Sequence, residues 1–238
     1  MTDAFQRRLM GEMKMLERGK DELAAAGIHF WFDQTNMHHA KVLIVPKHKE
    51  SGGLVSPYTH GFFVFDIVLP SSYPFKPPKV QFHPTNSTYR LHPNYYMNGK
   101  VCLSMINTWG GKDWSPASTL RTLMLTLEER FNERALCCEP GYERAPVQDH
   151  RKYNSIVQVG VYDVAICGVV SRLKSDSCES HAEFKDLIMA YAQTNKAHIA
   201  KAWGSYERNF GRGKNPYATN IAAIGDTCEV VPNRIAAL

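Results

Sequence analysis

Near the start of the chain Phe5, Leu9, Met13 and Leu16 recur at intervals of three and four residues. That is one face of an α-helix, and Asp3 stands where it could cap the first turn. Arg7, Arg8, Lys14 and Arg18 fall on the opposite face. Four short runs follow, at 28–32, 40–45, 61–69 and 79–82, each rich in β-branched or aromatic residues and bounded by Gly, Pro or Asn. Turn-sized gaps between them predict an antiparallel meander. Residues 47–56, loaded with Lys, Ser and Gly, read as a long loop, and no period survives between His83 and Asp113. Ser115 is expected to cap the next helix with Pro116 in its first turn, burying Leu120, Leu123, Leu127 and Phe131. Two more helical stretches are predicted. One runs over about 151–172. The other is opened by Ser180-His-Ala-Glu183 as a capping box and carries Phe184, Leu187, Ile188, Tyr191, Ile199 and Trp203. From Gly204 onward Gly, Asn and Pro accumulate, with Gly-Arg-Gly at 211–213, and a loosely ordered tail is expected. The plan is α+β: N-terminal helix, four-stranded antiparallel meander, irregular segment, C-terminal helices. The expected division is a core over 1–174, a helical extension over 175–203 and a tail over 204–238.

Composition narrows the class. At 238 residues, 44% hydrophobic and 21% charged, the chain has the profile of an ordinary globular protein. The net charge of +5 is spread evenly, with 17 basic against 15 acidic residues over 1–150 and 11 against 8 over 151–238. Neither half is a basic arm, so nucleic acid is not an expected partner. The longest apolar run, 156–170, is interrupted by Gln158, Tyr162 and Asp163 and reads as too short for a bilayer, so no membrane is expected either. Met1 to Arg8 lack the apolar run of a secretory signal. The cysteines at 102, 137, 138, 167, 178 and 228 contain no Cys-x-x-Cys, so reduced thiols in cytosol or nucleus are expected. His38, His39 and the cysteines lack metal-ligand spacing, and no glycine-rich phosphate loop is present. No metal and no cofactor are expected.

The segment Leu91-His-Pro-Asn-Tyr-Tyr-Met-Asn-Gly-Lys-Val-Cys-Leu-Ser104 carries the chemistry. Cys102 stands eight residues after Asn94, which follows the rigid His92-Pro93 pair. A covalent acyl carrier needs a thiol to hold the acyl group and a polar donor for the oxyanion formed on transfer. Both are here, with no nearby Ser/His/Asp set of a hydrolase. His-Pro-Asn, the Asn98-Gly99 turn, Val-Cys-Leu and Trp114-Ser-Pro-Ala117 resemble the active-site segment of ubiquitin-conjugating enzymes. Pro57-Tyr58-Thr-His-Gly-Phe-Phe-Val-Phe-Asp-Ile67 and Leu69-Pro-Ser-Ser-Tyr-Pro-Phe-Lys-Pro-Pro-Lys-Val80 resemble the family's hairpin and proline-rich loop, in the family's order. Glu139-Pro-Gly-Tyr-Glu143 and Tyr153-Asn154 are similar to a divergent, larger subgroup that includes the conjugating domain of the giant inhibitor-of-apoptosis protein. The resemblance covers about 5–171.

The resemblance implies the ubiquitin-conjugating fold and a definite set of roles. Cys102 would accept ubiquitin as a thioester from an activating enzyme and yield it to a substrate lysine. Asn94 has two open roles, oxyanion donor or brace of the loop. His92 reads better as a buried structural donor than as a base for the thiol. Tyr96 matches an acceptor-contact position. Ser104 stands where many members carry an acid, and Cys137 or Cys138 falls where many carry an acidic gate, leaving Asp113 and Glu139 as candidates to position the acceptor lysine. Arg7, Arg8 and Lys14 would dock the activating enzyme, against the plainer reading of a solvated helix face. Phe75, Pro116 and Ala117 would meet a ubiquitin ligase, although proline-rich loops also simply stiffen turns. The implied partners are ubiquitin, an activating enzyme, a ligase and protein substrates. The rival readings are a non-catalytic ubiquitin-binding variant or scaffold, and conjugation of a ubiquitin-like modifier.

Overall fold

The computed structural model describes residues 3–84, 89–111, 113–209 and 234–238, the side chains of Asp3 and of 204–209 excepted. Helix α1, Asp3–Arg18, buries Phe5, Leu9 and Leu16, with Met13 packed against the core as a partly buried neighbour. The capping role expected of Asp3 lies outside the described side chains. A short α2, Lys20–Ala25, turns the chain into the sheet.

Strands β1 (Ile28–Phe32), β2 (His39–Ile44), β5 (Phe63–Val68) and β6 (Lys79–His83) form one antiparallel sheet in the order β1-β2-β5-β6. The registers pair Ile28 with Ile44, His39 with Val68 and Val64 with His83. Alternating burial along an amphipathic strand would leave one face wet, but β2 is buried from Ala40 to Ile44. Helix α3, Leu120–Glu129, buries Leu120, Leu123, Met124 and Leu127 in the same core. Lys41, on the opposite pleat from Val42, meets Glu183 of the C-terminal extension at 2.6 Å, so the extension covers the sheet's other face.

The structure corrects four local expectations. Residues 47–56 are not merely a loop: β3 (Glu50–Ser51) and β4 (Leu54–Val55) pair as a hairpin across Gly52-Gly53, both at positive φ. The cap of α3 is Thr119, whose hydroxyl accepts from the Thr122 N–H at 3.1 Å, while Ser115 to Ser118 form a turn ahead of it. Ser180-His-Ala-Glu183 is not a capping box. It lies in a 3₁₀ turn, Glu179–Phe184, with the Ser180 hydroxyl 2.8 Å from His181 Nδ1 and Glu183 drawn away to Lys41. The following helix α6, Lys185–Asn209, runs on past 203.

The fourth correction concerns the apolar stretch. Helix α4 (Val147–Gly160), a π-helical segment (Val161–Gly168) and α5 (Val169–Lys174) join into one 28-residue helix, long and apolar enough by composition to cross a membrane. Length therefore does not set it apart from a membrane span. Burial does, because 78% of the apolar window is packed inside the protein, as in a core helix. In the π segment the Ala165 carbonyl accepts from Phe62 N–H at 2.9 Å, fastening this helix to the lead-in of β5. Of the expected tail, 210–233, with the Gly-Arg-Gly, lie outside the described residues. Residues 234–238 pack back through Ile235 and Leu238, Arg234 pairing with Asp163.

One buried carboxylate ties α1 to two distant loops. Glu12, 2% exposed, accepts from Arg8 Nε at 2.5 Å, from the Tyr73 hydroxyl at 2.5 Å and from the Leu120 N–H at 2.6 Å. Removing the carboxylate would leave these three donors, the half-buried Arg8 guanidinium among them, without their acceptor. Glu12→Ala is expected to lower stability by about 3–5 kcal/mol, as when one member of a buried ion pair is deleted. Denaturant unfolding reads this directly, and a loss under about 1 kcal/mol would show that the hub is not structural.

Candidate active site

The segment that holds Cys102 has no regular structure of its own and is fastened by short pairings. Gln81 bridges Lys100, and Tyr95 bridges both His92 and Val101. Gly99, at φ 85°, lets its carbonyl accept from Phe82 N–H at 2.9 Å; a Cβ there would stand 2.9 Å from the Phe82 carbonyl oxygen. Beyond the cysteine, Thr108 closes the loop by donating its hydroxyl to the Val101 carbonyl at 2.7 Å and accepting from Leu103 N–H at 3.0 Å.

His92 sets the register of this segment. Its Nδ1 accepts from the Asn94 N–H at 3.0 Å, so its proton sits on Nε2, which donates to the Arg130 carbonyl at 2.9 Å. Burial above all drives the imidazole down to about 3, so it is neutral at physiological pH. With both ring nitrogens committed, His92 cannot serve Cys102 as a base. The ring lies 4.6 Å from Tyr95 and 5.8 Å from Phe131, and Phe131 stacks on Phe63 at 4.3 Å. An aromatic floor thus joins sheet, loop and the end of α3.

Asn94 clamps the cysteine from both sides. Its carbonyl accepts from Cys102 N–H at 2.9 Å, and its Nδ2 donates to the Cys102 carbonyl at 2.8 Å. Of the two roles left open by the sequence, this geometry is that of the brace. The Asn94 Oδ1 is buried without a hydrogen-bond partner among the described residues.

Cys102 is 2% exposed, yet it lines a cleft of about 240 Å³ together with Asn94, Ser104, Trp109, Arg130 and Glu143. Cys137 and Cys138 stand on the same wall, and burial foremost pushes the Cys138 thiol up. All five cysteines among the described residues are free. No group of three or more His, Cys, Asp or Glu able to hold a metal occurs among the described residues.

A family model described as ubiquitin-conjugating enzyme matches residues 8–156, well over half the chain. This chain belongs to the ubiquitin-conjugating enzyme family. It is 39% identical over 119 residues to ubiquitin-conjugating enzyme E2 Z of Xenopus tropicalis, covering 49% of this chain and 38% of that one. It is 31% identical over 222 residues to probable ubiquitin-conjugating enzyme protein 17 of Caenorhabditis elegans, covering 87% of this chain and 29% of that one. Against the human dual E2 ubiquitin-conjugating enzyme/E3 ubiquitin-protein ligase BIRC6 the identity is 32% over 172 residues, 65% of this chain and 3% of that protein. The chain thus spans well under half the length of these relatives. Among solved structures, the E2 domain of a Toxoplasma gondii ubiquitin conjugating enzyme aligns with a TM-score of 0.48 at 24% identity, over 67% of this chain and 98% of that domain.

Within this ubiquitin-conjugating enzyme fold the candidate acceptor residues separate. Ser104 lines the Cys102 cleft, and Asp113, exposed, is its neighbour across Gly111. Tyr96 and Glu139 do not line it. Both are engaged by Arg90, whose guanidinium lies 4.4 Å over the Tyr96 ring and 3.1 Å from Glu139 Oε2, while Lys100 sits 5.7 Å from the same ring. The acid that does face the cleft is Glu143. It accepts from the Gly141 N–H at 3.1 Å, and backbone hydrogen bonds, first its own and then that of Gly141, hold its carboxyl below the usual range. Glu143 closes the motif Glu139-Pro-Gly-Tyr-Glu143, whose first acid, Glu139, was the sequence candidate.

The docking candidates also separate. Arg7 and Lys14 are exposed on α1. Arg8 is turned inward, with Nε on Glu12 and Nη2 donating to the Ser118 carbonyl at 2.6 Å. Phe75 is 76% exposed, and Pro116 and Ala117 are exposed on the adjoining loop. The two loops are joined by Trp114 Nε1, which donates to the Pro74 carbonyl at 2.7 Å.

If Asn94 acts as a brace, Asn94→Ala should lower the melting midpoint and slow charging and discharge of Cys102 together. Leaving the buried Cys102 carbonyl without its donor should cost about 1–3 kcal/mol. An unchanged midpoint with discharge alone slowed, on the order of 100-fold, would transfer the amide to the oxyanion role.

Proposed function

We propose that this chain carries ubiquitin on Cys102 and passes it to substrate lysines, working with or through a ligase. The Cys102 thiolate attacks the carbonyl carbon of the thioester on the activating enzyme. A new C–S bond forms at Cys102, the old one breaks, and the departing thiolate takes a proton from water. In the second half the acceptor lysine, having lost a proton, attacks the same carbon. The isopeptide C–N bond forms, the C–S bond breaks, Cys102 leaves as thiolate, and the second proton of the attacking nitrogen passes to water. The observation that carries this reading is a cysteine whose own N–H and C=O are both held by Asn94 at the wall of a cleft. Such pre-positioning costs no reorganisation when the substrate arrives.

Other features support the reading in part. Arg130 brings a cation to the cleft where negative charge develops on the carbonyl oxygen, and Glu143 brings an anion where a lysine enters. Arg7 and Lys14, beside the exposed Met10, offer the activating enzyme a basic face with an apolar patch. Arg8 is withdrawn from that role because its guanidinium is spent inside the fold. Phe75 beside Pro116 and Ala117 offers a ligase an aromatic anchor on braced loops. Five free thiols support a reducing compartment, cytosol or nucleus. The non-catalytic rival has no use for a clamped cysteine, and a ubiquitin-like modifier would travel the same chemical route.

Incubated with a ubiquitin-activating enzyme, ATP and ubiquitin, the chain should gain one ubiquitin through a thiol-sensitive bond. Cys102→Ser should convert it to a reductant-resistant oxyester and Cys102→Ala should abolish it. Charging of Cys102→Ala at the wild-type rate would remove Cys102 from the mechanism, and failure with ubiquitin but success with another modifier would select that rival.

Glu143→Gln should leave charging intact but slow single-turnover discharge to free lysine by about ten- to a hundred-fold, the worth of one charge-assisted hydrogen bond. The deficit should shrink as pH rises, because more amine is then already deprotonated. Asp113→Asn and Glu139→Gln should discharge much as wild type. A larger loss in either than in Glu143→Gln would move the acceptor site away from Glu143.

A further inference from the structure

A second opening, larger than the Cys102 cleft, lies elsewhere among the described residues. A cavity of about 1000 Å³ lies where the segment 47–60 faces Gln158 and Tyr162 of the long helix and α6. It shares no lining residue with the Cys102 cleft. Two lysines and three histidines line it from two directions: Lys47, His48 and His60 from the segment before β5, His198 and Lys201 from α6. Among the described residues that line it there is no carboxylate. Glu50, exposed, lies 3.8 Å from His48. Lys47 and Lys201 line the cavity from two different elements, so an anion standing between them would be stabilised from both sides.

Details of the walls point the same way. His60 is held at φ 69°, a left-handed conformation that a non-glycine residue adopts at a cost. Its Nδ1 lies 2.9 Å from the Tyr191 hydroxyl. Burial foremost, then the neighbours His198, Lys47 and His48, push its imidazole down to about 4, so the ring is neutral and can share a hydrogen bond with Tyr191. The Thr59 hydroxyl is buried with no hydrogen-bond partner among the described residues. Tyr191 presents an aromatic ring with Lys47 Nζ 5.9 Å from its centre, and Val55, Pro57 and Ala202 supply apolar wall. Cations with a flat ring and an apolar wall, in a space of this size, suit a ligand with a charged end and a flat body.

We propose that this cavity binds a soluble phosphorylated small molecule of nucleotide size, its phosphate held by Lys47, His48, His198 and Lys201 and its body against Tyr191. Because the cations come from both sides, the ligand clamps α6 onto the 47–60 segment. The C-terminal extension thereby becomes a ligand-dependent part of the fold.

The test uses the full chain alone, without activating enzyme, at low ionic strength. ATP and inositol hexakisphosphate serve as soluble probes, with phosphoinositide vesicles and a phosphoserine peptide for comparison. At least one soluble probe should bind saturably, raise the melting midpoint and slow amide exchange along 185–203. Lys47→Glu with His198→Glu should weaken that binding at least tenfold, and Lys47→Arg with His198→Arg should retain it. Both pairs should charge Cys102 as wild type, which also shows that they fold. No saturable binding of either soluble probe at millimolar concentration overturns the proposal. So does binding indifferent to the charge-reversed pair, or binding confined to the vesicles or to the peptide.

Discussion

The imidazole of His92 is shared between two backbone groups that belong to different parts of the chain, the Asn94 N–H beside it and the Arg130 carbonyl at the end of α3. Such sharing requires a neutral ring with its proton on Nε2, and burial enforces it. The rest of the site depends on this one ring. Asn94 is presented to Cys102 from both sides, Tyr95 stacks between His92 and the sheet, and Arg130 is held where its side chain reaches the cleft. Proline at 93 restricts the only residue between the two bonded ones. A histidine whose protons are fixed in this way positions chemistry without taking part in it.

The sheet and the first helix were legible because their periods are long enough to stand out. The runs at 28–32, 40–45, 61–69 and 79–82 each contain an observed strand to within a residue or two. The features that escaped were decided by contacts distant in sequence. Two-residue strands at Glu50–Ser51 and Leu54–Val55 have no period to read. The Ser180 box lost its glutamate to Lys41, 142 residues away. Thr119 rather than Ser115 caps α3 because Glu12 already holds the Leu120 N–H and fixes where the first turn begins. At the site, Cys102, Asn94 and Ser104, close in sequence, line one cleft. That Glu143 lines it and Glu139 does not could not be read, since Arg90 holds Glu139 across the loop.

Glu12 does for the far end of the molecule what His92 does for the cleft. It joins α1 to Tyr73 in the proline-rich loop and to the start of α3, while its partner Arg8 reaches the Ser118 carbonyl. The loops bearing Phe75 and Ala117 therefore rest on the inner face of the same helix whose outer face carries Arg7 and Lys14. Two surfaces suited to different partners share one buried ion pair beneath them.

The π-helical turn between α4 and α5 bears on how this chain tolerates changes in length. An α-helix advances about 100° per residue, so a π segment amounts to one residue inserted without displacing those beyond it. Val169, Val170 and Leu173 face the core, and Ala165 offers its carbonyl to Phe62, in that register. Removing one residue within 161–168 would let the segment relax to a plain α-helix with the later side chains kept on their faces, whereas removing one from the α-helical stretch before it would swing every later side chain by about 100°. The valines would then leave the interior, and Asp163 and Arg234 would no longer lie in the relative positions that now pair them. Substitutions along this helix can be judged singly, whereas a deletion ahead of the π segment acts on everything downstream at once.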